Sequence, residues 1–226
     1  MLSEFPPHSA GWVMNRRRQT SVTCVLACIA ISALGGCGSH DETSVGPPAV
    51  DPEDAAAFAL AHYDGNKDGA LEAAELNDCP PLALAMPAYD ANGDGRLSAA
   101  EIADRLTRLY AGRSGLSEIK CEVRLDGRPL PAATVRFRPV DMLGEAVADA
   151  QGVTDEQGMT RPTISAELLP DELKEISLLY AGLYHVEVTH AQKTLPSRYN
   201  TATELGFEVD PKSRQGSSAN FDLKTK

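Results

Sequence analysis

The chain has 226 residues and a net charge of -11 at neutral pH, and 42% of its residues are hydrophobic. An acid excess of this size argues against nucleic acid and against adsorption to an anionic lipid surface, since both need clustered Lys and Arg. The apolar fraction is enough to bury a core, and the length allows one or two domains.

The first 36 residues read as a signal peptide. Arg16-Arg17-Arg18 is a positive start, and Thr20 to Leu34 is an apolar run too short to span a bilayer comfortably. The run ends in Leu34-Gly35-Gly36-Cys37, which resembles a bacterial lipobox. That resemblance implies an exported, membrane-anchored lipoprotein in the periplasm or at the cell surface, lipidated on Cys37. An uncleaved short anchor and a conventional signal peptide are the alternatives, and Met14 is a second candidate start. Cys24 and Cys28 leave with the signal. Cys79 and Cys121 remain, an even number in an oxidising compartment. A Cys79–Cys121 disulfide and two separate buried thiols are both open.

Residues 37–52 are polar with Gly46-Pro47-Pro48, as in a flexible tether. Asp51-Pro52-Glu53-Asp54 marks a helix start, with Pro near the first helical position and acids in the first turn. The helix is expected to run to Tyr63, with Phe58 and Ala61 among its apolar positions. Then comes Asp64-Gly-Asn66-Lys-Asp68-Gly69-Ala70-Leu71-Glu72-Ala-Ala-Glu75. The same pattern returns 26 residues later as Asp90-Ala-Asn92-Gly-Asp94-Gly95-Arg96-Leu97-Ser98-Ala-Ala-Glu101.

Each position has a physical task. Asp, Asn and Asp at positions 1, 3 and 5 offer hard oxygen ligands suited to Ca2+. Gly69 and Gly95 at position 6 take a sharp turn where a Cβ is expected to clash. Ala70 and Arg96 at position 7 lend only a backbone carbonyl. Leu71 and Leu97 at position 8 are apolar, as expected if the loops pair edge to edge. Glu72 and Ser98 at position 9 act directly or through water. Glu75 and Glu101 close the loops as bidentate ligands, favouring Ca2+ over the smaller Mg2+. Both stretches fit D-x-[DN]-x-[DN]-G-x5-E, and the region resembles the EF-hand family. The resemblance implies two Ca2+ ions, with ligands from Asp64, Asn66, Asp68, Ala70, Glu72 and Glu75, and from Asp90, Asn92, Asp94, Arg96 and Glu101. Residues 53–105 carry eleven acidic against three basic side chains, so the charge gathers around these loops.

Only 14 residues separate Glu75 from Asp90, among them Pro80, Pro81 and Pro87. Two full helices do not fit, so a short exit helix ending near Cys79 and a short entering helix from Leu82 are expected. Ser98 with Glu101 three residues on is a capping box, and Ile102, Leu106 and Leu109 form a helical stripe to Tyr110. These elements make a paired EF-hand module over 53–112.

After Gly112–Gly115 the texture changes. Lys120–Leu125 alternates as a strand and meets Asp126-Gly127, a hairpin signal. Thr134–Arg138, Tyr184–Thr189, Leu205–Val209 and Ala219–Leu223 alternate likewise, and Pro170-Asp171-Glu172-Leu173 reads as one short helix. The pattern predicts an all-β sandwich over 117–226. Val123 to Phe137, Thr154 to Gly158, Gly182 to Val188 and Leu195 to Asn200 make this half similar to carboxypeptidase-regulatory-like, transthyretin-like domains of bacterial envelope proteins. The chain is also similar to small planctomycete lipoproteins carrying such a domain. The expected fold class is therefore α+β, a compact paired EF-hand module followed by a transthyretin-like or Ig-like sandwich.

No catalytic set is visible: there is no Gly-X-Ser-X-Gly, Walker loop or His-Glu-X-X-His. His185 and His190 point to opposite faces of one strand, which disfavours a shared zinc. Arg136 and Arg138 share a face, read as an exposed sheet surface. The leading reading is a non-enzymatic calcium-binding envelope lipoprotein, in which calcium is mainly structural and the sandwich displays or binds an envelope protein or polysaccharide. A calcium sensor, a dockerin-like adhesion module and a non-catalytic subunit of an envelope enzyme are the alternatives. Sensors use Met-rich grooves, and residues 53–112 hold only Met86.

Overall fold

Asp51 opens the first helix by accepting the Asp54 N–H at 2.9 Å, and Pro52 follows where a missing N–H costs nothing. Helix α1 spans Pro52–Tyr63 in the computed structural model, which describes residues 45–112, 114–212 and 218–226. It buries Ala55, Ala56 and Ala59, small residues that let the helix lie close to its neighbour α3; Ala61 is exposed. The first loop leads into strand β1 (Ala70–Glu72) and a single 3-10 turn, Glu75–Asp78. Helix α2 (Pro80–Tyr89) begins two residues earlier than expected, because Pro80 and Pro81 occupy its first turn, where Pro is tolerated. The second loop gives strand β2 (Arg96–Ser98) and helix α3 (Ala99–Tyr110), capped reciprocally by Ser98 and Glu101. Ile102, Leu106 and Leu109 of α3 are buried.

Strands β3 (Leu116–Ser117), β4 (Lys120–Leu125), β5 (Arg128–Pro129), β6 (Ala133–Pro139), β7 (Ala150–Val153) and β8 (Met159–Thr160) follow. Then come β9 (Leu179–Tyr180), β10 (Gly182–His190), β11 (Gly206–Val209) and β12 (Ser218–Leu223). Asp126 and Gly127 turn β4 into β5 with φ of 51° and 79°, the left-handed pair of a type I′ hairpin. One larger sheet has the order β11-β10-β6-β7. Another has β12-β4-β5, with β8 also on β4. The last strand, β12, runs parallel to β4, pairing Ala219 with Cys121 and Phe221 with Val123. Val123, Val135, Phe137, Val186, Val188, Ala219 and Leu223 are fully buried.

The expected α+β arrangement, a helical module followed by a separate transthyretin-like or Ig-like sandwich, is corrected by this architecture. Among the described residues there are twelve strands in four sheets against three α-helices, so the chain is β-rich. The described residues all fall within one compact unit. The buried residues of the helices and of the sheets join in one cluster. Residues Leu183, Tyr184, His185 and Val186 of β10 are buried in succession, so both faces of that strand are covered. Helix α2 lies on β10 and β11, and the Pro81 backbone sits against Gly206 so closely that a Cβ there would fall 2.4 Å from Pro81 Cα. The segment before α1 is also packed. The Val45 carbonyl accepts the Gly115 N–H at 3.1 Å, and Val45 and Val50 rest on the core.

The signal peptide and Cys37 lie outside the described residues. No helix among the described residues is long and apolar enough to cross a membrane.

Candidate metal centre

The two twelve-residue loops fold alike, residue for residue. In the first, Asp64 Oδ1 accepts the N–H groups of Lys67 and Asp68 at 2.6 and 3.3 Å, and Oδ2 accepts that of Gly69 at 2.9 Å. In the second, Asp90 does the same for Gly93, Asp94 and Gly95 at 2.7, 3.2 and 2.8 Å. Asn66 accepts the Asp68 N–H at 2.8 Å and donates its amide to Asp68 Oδ2 at 3.1 Å; Asn92 repeats both bonds with Asp94 at 2.7 and 3.0 Å. Asp68 Oδ1 accepts the Ala70 N–H, and Asp94 Oδ1 that of Arg96. The closing glutamates reach back across the loops. Glu75 Oε1 accepts from Gly65 and Asn66, and Oε2 from Glu72 at 3.0 Å. Glu101 Oε1 accepts from Ala91 and Asn92, and Oε2 from both the N–H and hydroxyl of Ser98. Those Ser98, Asn92 and Ala91 bonds hold the Glu101 carboxyl below the usual carboxylate range.

The loops are joined through β1 and β2. The strands run antiparallel, with Leu71 opposite Leu97, Ala70 opposite Ser98 and Glu72 opposite Arg96. Both leucines are fully buried, which anchors the pair to the core. Gly69 and Gly95 adopt φ of 87° and 80°. A Cβ at either would meet nothing within 4 Å, so the expected clash does not arise. Glycine is needed there for its backbone freedom, since the left-handed region costs an L-residue about 1–2 kcal/mol. Gly95→Ala should therefore lower unfolding stability by about that amount, measured by urea titration.

Among the described residues no three His, Cys, Asp or Glu side chains converge into a group that would hold a metal. Most carboxylate oxygens of both loops are turned onto backbone N–H groups, and Asp68 and Asp94 Oδ2 onto the Asn66 and Asn92 side-chain amides. The donor set still fits a hard divalent cation. It is made of oxygens alone, it comes from a short loop whose backbone is already curled, and its carboxylates are partly exposed. Asp64, Asn66, Asp68, Glu72 and Glu75, with the Ala70 carbonyl, are the residues that would hold Ca2+ in the first loop. Asp90, Asn92, Asp94 and Glu101, with the Arg96 carbonyl, would do so in the second.

Two residues act here in ways the sequence reading missed. Arg96, assigned only a carbonyl role, turns its guanidinium onto Asp68 and Glu72 of the first loop. Desolvation acts to raise the Asp68 carboxyl, but the Ala70 N–H, the Arg96 charge and the Asn66 amide together outweigh it and hold the group below its usual range. The signal was present: once the two leucines pair, position 7 of one loop faces position 9 of the other. Arg105 of α3 forms ion pairs with Glu208 at 2.6 Å and Asp210 at 2.9 Å, tying the second loop's exit helix to β11. No local pattern marks that pair.

The remaining candidates disperse. Cys79 and Cys121 are free and buried, so the pair is not joined as a disulfide. Cys79 sits beside Tyr63 at the start of α2, whereas Cys121 lies within β4 between β12 and β8. Burial pushes the Cys121 thiol up to about 12, and raises that of Cys79. His185 is buried, and burial, then Arg138, lowers its pKa. His190 is bonded to the Pro131 carbonyl and the Gln192 and Lys193 N–H groups, and His62 stacks on Phe58 at 3.8 Å. Arg136 and Arg138 are neutralised by Asp149, Glu187 and Asp141.

No family model and no curated protein matches the chain. Among solved structures, that of the major plantain pollen allergen Pla l 1 is similar at 11% identity, covering 48% of this chain and 91% of that one, with a TM-score of 0.26. A likeness that slight says nothing about either fold or activity.

Proposed function

We propose that this is a calcium-binding protein of the cell envelope, in which two Ca2+ ions serve structure rather than signalling. The observation that carries the reading is the pairing of two loops with matching Asp, Asn, Asp and Glu oxygens at positions 1, 3, 5 and 12 in the same backbone geometry, one beside the other through Leu71 and Leu97. Bound Ca2+ supplies the positive charge that relieves repulsion among the clustered carboxylates. The chain's own residues do the rest. Asp64 and Asp90 curl the loops, Glu75 and Glu101 close them, and the β1–β2 ladder fixes their spacing. A structural role is supported by the exit of the first loop, a single 3-10 turn, and by α2 and α3, which are pinned to the sheet. Little is left to swing open and expose a groove. Export and anchoring through Cys37 belong to the same reading, as does the use of the β-rich remainder to display or bind an envelope protein or polysaccharide.

Calorimetric titration of the full chain in chelator-stripped buffer tests it. The expected stoichiometry is two, falling to one in Glu101→Gln. A stoichiometry of zero in millimolar Ca2+ overturns the reading.

A further inference from the structure

We propose that Arg96 is a built-in counter-charge of the first loop, lowering its calcium affinity and bringing it level with the second. The inference rests on the calcium reading above. By side-chain charge the loops are unequal. The first offers four carboxylates, Asp64, Asp68, Glu72 and Glu75. The second offers three, Asp90, Asp94 and Glu101, because Ser98 stands where the first has Glu72. On charge count alone the first loop binds a divalent cation more tightly.

The strand register cancels the difference. Glu72 faces Arg96 across β1–β2, and the guanidinium reaches both Glu72 and Asp68. Its Nε lies 3.3 Å from Glu72 Oε1 without a well-formed hydrogen bond, so this contact is chiefly one of charge. The reciprocal pair is Ala70 with Ser98, so the first loop lends the second no cation. Compensation is one-sided and falls on the loop with the surplus carboxylate. Arg96 carries the positive charge on the very groups that would take Ca2+, and a divalent ion there meets its repulsion. The Arg96 and Asp68 side chains are 38% and 37% exposed, so solvent weakens the effect without abolishing it.

The test uses the full chain and Ca2+ alone, with calorimetry and a circular-dichroism check that each variant is folded. Glu101→Gln isolates the first loop; Asp90→Ala replaces it if loss of the α3 cap unfolds the chain. In that background Arg96→Gln should raise calcium affinity on the order of ten-fold at low salt, shrinking as salt is added. Arg96→Lys should stay near the parent. With the second loop isolated by Glu75→Gln, Arg96→Gln should change affinity by less than about two-fold. If the folded Arg96→Gln variant binds at the first loop no more tightly than its parent, Arg96 is only a cross-strand ion pair and the proposal fails while the calcium reading stands. A wild-type chain that binds no Ca2+ overturns both.

Discussion

Chelation is expected to lower the melting temperature of the whole chain by about 10–20 °C, in one transition rather than two. With millimolar Ca2+ and a dissociation constant of about 10 μM, each site adds about 2.7 kcal/mol to folding. Two sites then give about 5 kcal/mol, and a domain of this size shifts by about 2–4 °C per kcal/mol. The single transition follows from packing. Ala55, Ala59, Leu71, Leu97, Ile102 and Leu106 of the loop-bearing part belong to the same buried cluster as Val135, Phe137 and Val186 of the sheet. Losing the loops exposes β10 and β11 on the side that α2 covers. Differential scanning calorimetry with and without chelator reads both quantities. A low-temperature transition followed by an unchanged second one would mean that the helices and sheets are separate cooperative units.

Arg105→Ala should destabilise the protein by about 3–5 kcal/mol, among the largest effects of any single substitution here. The Arg105, Glu208 and Asp210 side chains are only 15%, 14% and 13% exposed. Burial opposes the charge on Arg105, but hydrogen bonds to Glu208 and Asp210 outweigh it and raise its pKa. Removing the guanidinium strands two carboxylates beside each other in a poorly solvated seam, with the Tyr89 ring having lost a cation 5.9 Å from its centre. Urea titration measures the loss. Arg105→Ala,Glu208→Gln,Asp210→Asn should recover a large part of it, because no uncompensated charge remains. A single-site loss under about 1 kcal/mol would show that water reaches the seam and that the pairs are worth no more than surface ones.

Sequence alone was sufficient wherever the bonds are local. The capping box of α3, the Asp51 cap, the type I′ hairpin at Asp126-Gly127 and the alternation of β4, β6 and β12 each depend on residues a few positions apart. So does the curl of both acidic loops, whose carboxylates bond backbone N–H groups at most ten residues away. Even the Leu71–Leu97 pairing was legible from two apolar residues in equivalent places. What the tertiary structure alone decided involves partners far apart in the chain. Arg105 meets Glu208 across 103 residues, and β12 returns parallel to β4. Such pairs carry no spacing rule, because loop closure costs so little per added residue that almost any separation is allowed. The same holds for the thiols: Cys79 and Cys121 differ in which part of the core each enters, and composition cannot express that. The change of texture at Gly112–Gly115 marks where helices give way to strands. It does not mark a domain boundary, because a boundary depends on which faces are covered, and here α2 lies on the sheet and α3 is tied to it through Arg105.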